Sequence, residues 1–370
     1  MRILYLVTSL GVGGAERQTI ALAERMAARG HTVALLTLKH VEEELPVRLP
    51  VLRLNLAKTP FGIQKGLRFA AGFLAAFRAD VVHSHTFPAN IFARLLRRQI
   101  AGEEHLPVMV NTIHNIYEGG WHRRLLYRLS RRWVDSVTAV SAAAADAHAR
   151  GTGMARDAIA VVVNGIETDE YRPDEERRGY TRSLMGAGEN FIWLAVGRLA
   201  PGKDYPNLLR AWLAVRKEFK TARLWIAGEG EAEAQADAAA LDEAEREGVE
   251  WLGLRRDVRD LLDAADGYVL SSAWEGMPLA VAEAMAMGKP VAATRVGGVV
   301  ELVGDAGLLV EANSSDALAY AMRTVMLMKE EERFALGIRA QARVQDRFSM
   351  SAAVDAWESL YASLAEQTIS

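Results

Sequence analysis

The chain of 370 residues has no cysteine, which excludes disulfides and thiolate metal sites. It has no apolar run approaching the ~20 residues that a bilayer-spanning helix needs. The nearest run, Phe69–Phe77, is short. The opening Met1-Arg2-Ile3-Leu4-Tyr5-Leu6-Val7 is interrupted too soon to read as a signal peptide. No short-period repeat is present. Half of the residues are apolar and 25% are charged, a composition that can bury full cores. These features set the expectation of a cytoplasmic globular protein, and the length suggests two domains.

Net charge is only −3, but it is unevenly spread. Residues 1–165 hold 21 Lys and Arg against 12 Asp and Glu, a balance of +9. The remainder holds 44 − 21 = 23 against 47 − 12 = 35, a balance of −12. Two units with different partners are expected, the basic one facing an anionic surface or anionic substrates.

Short apolar runs alternate with helical patterns. Ile3–Val7, Thr32–Leu38, Ala79–His83, Val108–Ile113 and Ser136–Val140 read as buried strands, with helices over Ala15–Arg29, Gly62–Phe77 and Asn90–Arg98. The pattern starts again with strands Phe191–Val196, Arg223–Ala227, Val249–Leu252, Gly267–Leu270, Val291–Thr294 and Gly307–Leu309. Helices are expected over Asn207–Phe219, Ala232–Glu247, Val258–Ala265, Leu279–Met287 and Ser315–Lys329. The polar stretch Glu167–Asn190 reads as the connection. The fold class is therefore α/β, two doubly wound Rossmann-like domains in tandem, residues 1–168 and 169–349. Ligands of such sheets sit outside the carboxyl ends of the strands, and two domains offer a cleft.

After the first strand comes Gly11-Val12-Gly13-Gly14-Ala15-Glu16, opening a helix. Such a turn lets backbone amides approach a phosphate. It is not a dinucleotide fingerprint, because Glu16 occupies the third glycine position and the second strand ends Leu38-Lys39-His40 without an acid for a ribose. A tight turn with no ligand remains an alternative.

The second half carries more. Strand Phe191–Val196 ends in Gly197-Arg198, with Lys203 five residues beyond the arginine. Two cations past a strand's carboxyl end suit a diphosphate, although surface charge alone could also explain them. Glu275 and Glu283 are separated by seven residues that include Gly276, Met277, Pro278 and Leu279. Pro278 suits the first helical position, so Glu275 belongs to the loop and Glu283 to the helix. The two carboxylates bracket a helix N-terminus, whose free amides at Met277, Pro278 and Leu279 attract an anion (proline excepted as a donor). A phosphate there leaves one carboxylate on each side for sugar hydroxyls, the layout of a nucleotide sugar. Glu283 sits in a nearly all-apolar helix, an unfavourable place for an idle charge. Arg295-Val296-Gly297-Gly298-Val299-Val300-Glu301 is a second glycine loop entering a helix.

Taken together, these residues resemble the retaining glycosyltransferases of family 4, which have the GT-B fold. Gly13-Gly14-Ala15-Glu16 resembles the family's N-terminal Gly-Gly loop, and Asn164-Gly165-Ile166-Glu167 its linker strand. Gly197-Arg198 with Lys203 resembles its diphosphate cations. Glu275 to Glu283 resembles its Glu-x7-Glu signature, followed by Gly297-Gly298-x-x-Glu301. The resemblance implies two domains facing a central cleft, an N-terminal domain for the acceptor and a C-terminal one for the donor. It implies that Arg198 and Lys203 bind the diphosphate with backbone amides of Gly13, Gly14 and the Met277–Leu279 turn. Glu283 would hold the ribose and Glu275 the transferred sugar. No metal and no cofactor are implied, and Asp80, followed by Val81-Val82, begins no Asp-x-Asp motif. The C-terminal helix, Ala352–Leu364 with Trp357 and Tyr361 in residues 350–370, would cross back to the first domain.

His83-Ser84-His85 and His114 lie at strand ends of the first half. No carboxylate or further ligand accompanies them, so metal is not expected. His114 matches a family histidine that contacts the transferred sugar or assists catalysis. His85 could line the acceptor side, and His83 reads as a hydrogen-bonded structural histidine. Arg94-Leu95-Leu96-Arg97-Arg98 and residues 121–133 mix arginines with leucines and aromatics, an interfacial composition. The expected partner is the anionic inner face of a membrane and a lipid-linked glycan acceptor. A helix with a solvated basic face is the alternative, and no nucleic-acid motif is present.

The reaction implied is transfer of a hexose or N-acetylhexosamine, UDP favoured as the carrier, to a hydroxyl in surface polysaccharide assembly. Attack from the leaving-group face and a covalent intermediate on Glu275 are both open. So are a nucleotide-sugar epimerase and a non-catalytic nucleotide-sugar binding protein.

Overall fold

The computed structural model describes residues 1–117, 119–230 and 247–369. It divides into two compact units, Met1–Gly165 with Met350–Ser370, and Ile166–Ser349. Each is built on its own parallel sheet.

In the first unit, β1 (Arg2–Val7), α1 (Gly14–Ala28), β2 (Thr32–Thr37), β3 (Val51–Arg53), α2 (Pro60–Phe77), β4 (Val81–His85) and α3 (Phe87–Gln99) come in that order. They are followed by β5 (Val108–Ile113), α4 (Trp121–Ser130), a 3₁₀ turn at Arg131–Trp133, β6 (Ser136–Ala139), α5 (Ala142–Thr152) and β7 (Ile159–Val161). The sheet order is β3-β2-β1-β4-β5-β6-β7. Strand residues alternate between two cores, as a pleated strand requires. Ile3 and Tyr5 face one core with Leu35, Val110, Met26, Trp357 and Tyr361. Leu4 and Leu6 face the other with Leu36, Met109, Leu74, Phe92 and Leu96. Both faces are covered, so the strands read as continuous apolar runs. Thr59 starts α2 by accepting the Gly62 amide at 3.0 Å, with Pro60 in the first turn.

The second unit runs α6 (Glu175–Leu184), β8 (Ile192–Val196), a 3₁₀ turn at Pro201–Lys203, α7 (Tyr205–Glu218), β9 (Arg223–Ala227) and β10 (Val249–Gly253). It continues α8 (Val258–Ala264), β11 (Gly267–Leu270), α9 (Leu279–Ala286), β12 (Val291–Thr294), α10 (Gly298–Val303), β13 (Leu308–Val310), α11 (Ser315–Leu327) and α12 (Glu330–Phe348). The sheet order is β10-β9-β8-β11-β12-β13. Trp193, Trp212, Leu208 and Met322 anchor a core on one face.

The last helix, α13 (Met350–Ile369), belongs to the first unit. It buries Trp357 and Tyr361 there. Arg29 pairs with Asp355 at 2.5 Å and with Glu358 at 2.6 Å, and His31 Nε2 meets Glu358 at 2.8 Å.

Several expectations need correction. The third long strand is Val81–His85, not Ala79–His83, and His83-Ser84-His85 ends it as expected. The Asn164–Glu167 segment is not a strand, because only Ile166 makes a bridge, with Ser349. Pro278 is the N-cap of α9, one position before the first turn, and Leu279 opens the helix. The polar stretch Glu167–Asn190 contains α6, which its arginines dock onto α8. Arg178 Nη1 donates to the carbonyls of Asp263, Ala264 and Ala265 at 2.7, 3.1 and 3.0 Å. Arg182 Nη1 donates to Ala264 at 2.7 Å, and Arg177 pairs with the buried Asp263. These contacts satisfy the open carbonyls at the end of α8. Apart from Glu247, the helix expected over Ala232–Glu247 lies outside the described residues.

Candidate active site

In each sheet the strand order reverses once, between β1 and β4 in the first unit and between β8 and β11 in the second. Such switch points open a crevice at the carboxyl ends of the two strands. Arg198 and Lys203 follow β8, Glu275 follows β11, Gly13 and Gly14 follow β1, and His85 ends β4, whereas His114 follows β5.

In the second unit the loop after β8 carries Arg198 and Lys203, and the loop after β11 carries Glu275. Lys203 Nζ donates to Glu275 Oε1 at 2.6 Å. Ser272 Oγ donates to the same oxygen at 2.7 Å. The loops are tied together beneath this pair. Ala273 N donates to the Gly202 carbonyl at 2.9 Å, and Ser271 Oγ to the Lys203 carbonyl at 2.7 Å. The Trp274 indole lies against Gly202, where a Cβ would stand 2.8 Å from its Nε1. Thr294 Oγ1 donates to the Ser272 carbonyl at 2.6 Å, fixing the second loop to β12. Glu275 is 9% exposed, whereas Arg198 is open to solvent.

Beyond Glu275 the chain turns at Gly276, Met277 and Pro278 into α9. The first amides of that helix have no acceptor within it. Gly298 N donates to the Gly276 carbonyl at 3.1 Å, so the second glycine loop braces the turn. Glu283 lies inside α9 and is 2% exposed. The Tyr205 hydroxyl donates to the Gly197 carbonyl at 2.8 Å, and the Tyr268 hydroxyl to Val196 at 3.2 Å. Burial pushes both phenols above their ordinary range, and the charge of Glu275 adds to this at Tyr205.

In the first unit Gly13 is the N-cap of α1, and Gly14 is its first residue. The Glu16 carboxylate lies over Gly13, where a Cβ would come within 2.3 Å of Glu16 Oε2. A phosphate at this helix start would meet that carboxylate first. Thr8 Oγ1 and Thr86 Oγ1 are 3.0 Å apart, tying the ends of β1 and β4. Thr86 has a φ of 71°, a left-handed conformation that a β-branched residue adopts only when held.

The histidines form a buried chain. His85 Nδ1 and His114 Nε2 are 2.9 Å apart. His83 stacks on His85 with ring centroids 4.1 Å apart. His83 Nδ1 meets the Tyr361 hydroxyl at 2.6 Å, and its Nε2 meets Thr112 Oγ1 at 2.6 Å. The Tyr361 hydroxyl lies 3.2 Å from that of Tyr5. Burial lowers all three imidazoles, His114 to about 4 and His83 and His85 well below their ordinary value. They are neutral at pH 7. His85 Nε2 is buried without a hydrogen-bond partner. Among the described residues no group of three His, Asp or Glu is arranged to hold a metal ion.

The two basic segments differ. Arg94 is only 1% exposed. Its Nε donates to Asn111 Oδ1 at 2.6 Å, and its Nη1 to the Tyr127 carbonyl at 2.9 Å and Ser130 Oγ at 3.2 Å. Arg98 lies over the Trp133 ring. Arg94 therefore belongs to the packing, and the interfacial expectation fails at that residue because its charge is consumed internally, whereas Arg98 is exposed. Helix α4 instead exposes Trp121, Leu125, Leu126 and Leu129. Among the described residues no helix is long and apolar enough to cross a membrane.

Two family models match the chain, one described as Glycosyltransferase Family 4 over residues 12–170, the other as Glycosyl transferases group 1 over 190–327. The chain belongs to glycosyltransferase family 4. Membership makes it a glycosyltransferase. The transferase is 30% identical over 273 residues to alpha-maltose-1-phosphate synthase of Mycobacterium tuberculosis, covering 67% of this chain and 68% of that one. It is 27% identical over 257 residues to UDP-Gal:alpha-D-GlcNAc-diphosphoundecaprenol alpha-1,3-galactosyltransferase of Escherichia coli, covering 66% of this chain and 65% of that protein's length. Its fold matches Anabaena Alr3699/HepE, crystallised with UDP, at a TM-score of 0.83, 22% identity, and 98% and 100% coverage. It matches WaaG at a TM-score of 0.73, 19% identity, and 96% and 99% coverage. The transferase thus has the two Rossmann-like domains of GT-B enzymes.

Four participating residues are not singled out in the sequence: Ser272, Tyr205, Thr8 and Thr86. Ser272 precedes Glu275 by three residues, a spacing at which a loop side chain can turn back onto a carboxylate. That was the one available signal.

Proposed function

We propose that the transferase moves a hexose or N-acetylhexosamine from a nucleotide diphosphate sugar, with UDP as the favoured carrier, to a hydroxyl of a lipid-linked glycan. The product keeps the anomeric configuration, and no metal or cofactor takes part. The observation that carries this reading is the Lys203–Glu275 pair at the β8/β11 switch point, beside Arg198 and the start of α9.

The diphosphate binds between Arg198, Lys203 and the amides at Met277 and Leu279. Glu283 takes the ribose hydroxyls, and Glu275 the hydroxyls of the transferred sugar. As the glycosidic bond to phosphate breaks, negative charge grows on the diphosphate, where cations and helix amides are already aimed. The sugar carries oxocarbenium character. The acceptor hydroxyl attacks from the leaving-group face and gives its proton to the departing phosphate oxygen. Glu275 is less suited to be a covalent nucleophile, since one of its oxygens already accepts from Lys203 and Ser272. His114, neutral through burial, contacts the sugar, and His85 lines the acceptor side.

Helix α4 supports a membrane-bound acceptor. Trp121, Leu125 and Leu129 recur at helical spacing and are exposed, and residues 121–133 contain five arginines and no acid. The acceptor of the E. coli relative is named as a lipid diphosphate. The test is purified protein with a panel of UDP- and GDP-sugars, membrane extract as acceptor, and excess EDTA. Product with an α-anomer from an α-donor supports the reading. Dependence on added divalent metal, or sugar conversion without acceptor, sinks it.

A further inference from the structure

A pocket of about 270 Å³ opens in the first domain between α4 and α5. Its wall includes Arg123 and Arg124 from α4, Arg150 from α5, and Tyr117, Tyr127 and His148. Arg123 is half-buried, with its guanidinium over the Phe87 ring at 4.8 Å. Arg124 lies across Gly151, where a Cβ would stand 3.2 Å from its Cδ. Among the described residues the side chains of Arg124 and Arg150 make no hydrogen bond or ion pair. Tyr127 and His148 form the floor, both buried, with rings edge-on at 4.8 Å. Gly120, the N-cap of α4, follows Gly119, which lines the pocket. Arg150 also sits in the last turn of α5, where a cation offsets the helix dipole. Arg124 has no such second role.

Three guanidiniums around one cavity, with the positive end of a helix nearby, form a receptor for a multiply charged oxyanion. Guanidinium forks match phosphate oxygens in pairs. The cavity exceeds one phosphate and suits a diphosphate. The exposed Trp121, Leu125 and Leu129 lie on the same helix, so a ligand with an apolar tail can leave the pocket along an apolar surface. We propose that this pocket binds the diphosphate of a lipid-linked acceptor, holding the glycan end for transfer. This rests on the glycosyltransferase reading and names the acceptor's headgroup class.

The test uses full-length protein saturated with UDP, which occupies the donor site. Phosphatidylcholine vesicles carry either farnesyl diphosphate or phosphatidylglycerol at equal surface charge. The proposal expects at least tenfold stronger retention on farnesyl diphosphate. It expects the Arg124→Gln/Arg150→Gln variant to lose about tenfold of that binding, with less than twofold change on phosphatidylglycerol. Unchanged retention of the variant overturns the site. Equal losses on both vesicles also overturn it, since they report diffuse surface charge. Calorimetry with inorganic pyrophosphate separates the sources, and affinity matching farnesyl diphosphate would overturn the lipid assignment. Turnover with a water-soluble sugar acceptor reports the glycosyltransferase reading separately, because it bypasses the pocket.

Discussion

Lys203 Nζ stands 2.6 Å from Glu275 Oε1, joining the loops of two strands that are neighbours at the point where the sheet order reverses. In the proposed reaction the pair preorganises a cation for the donor diphosphate and a carboxylate for its sugar. Both side chains are largely shielded, at 23% and 11% exposure. Each therefore depends on the other.

Glu275→Gln should preserve the fold and lower kcat by about 10²–10³, the scale of losing one preorganised electrostatic contact in a transition state. Lys203→Met should cost about 1–3 kcal/mol of stability by stranding the carboxylate. Joined in one protein, the two changes should cost less than their sum. Urea unfolding of the four proteins measures this, and strict additivity would show that the pair is uncoupled.

The histidine chain makes stability depend on pH. The folded value of His114 is lowered to about 4 by burial, against an unfolded value near 6.5. Between those values the unfolded chain binds the extra proton and the folded chain does not. Stability is therefore full above pH 6.5 and falls as pH drops towards 4, by roughly 3 kcal/mol for His114 alone. His83 and His85, lowered in the same direction, steepen the loss. Denaturation midpoints at pH 7.5, 6 and 5 test this. In the His114→Asn variant the slope should flatten.

Tyr361→Phe removes one hydroxyl that meets both His83 and Tyr5. The cost should be about 1–3 kcal/mol, because a buried imidazole nitrogen and a phenol lose a partner. Thermal unfolding reports it directly, and a change below a few tenths would mean that the chain is not tightly held.

The two basic segments should respond in opposite ways. Arg94→Met removes a buried guanidinium with three acceptors and should cost at least ~2 kcal/mol without selectively weakening vesicle binding. Replacing Arg124, Arg128, Arg131 and Arg132 together should release the protein from anionic vesicles while leaving the unfolding midpoint nearly unchanged. Unaltered sedimentation of that variant would remove the membrane from the reading.

The sequence displays these features unequally. Val108–Ile113, Arg223–Ala227, Gly267–Leu270 and Val291–Thr294 have the same limits in both readings. Strands buried on both faces must be unbroken apolar runs, and such runs are visible. The edge strands Val51–Arg53 and Ile159–Val161 are too short to stand out, and α6 is hidden by the arginines that dock it. Arg198, Lys203, Glu275 and Glu283 could be picked out by their positions after strands. The bond between Lys203 and Glu275 could not, because 72 residues separate them and only the β8–β11 pairing closes the gap. Arg94 misled for a related reason. Its arginine-rich neighbours suggest a surface, while its partners, Asn111, Tyr127 and Ser130, arrive from two other elements.

The return of α13 to the first domain has a consequence for how the protein is made. The second domain, Ile166–Ser349, is one unbroken stretch and can close as soon as it leaves the ribosome. The first domain begins earlier yet finishes later. Until Trp357 and Tyr361 emerge, the face of its sheet that α1 covers is only partly closed and His83 lacks one of its two bonding partners. A chain cut short near residue 350 would retain every residue proposed for the donor and still leave the first domain partly open on one side. For such truncation products, aggregation should precede any loss of nucleotide binding.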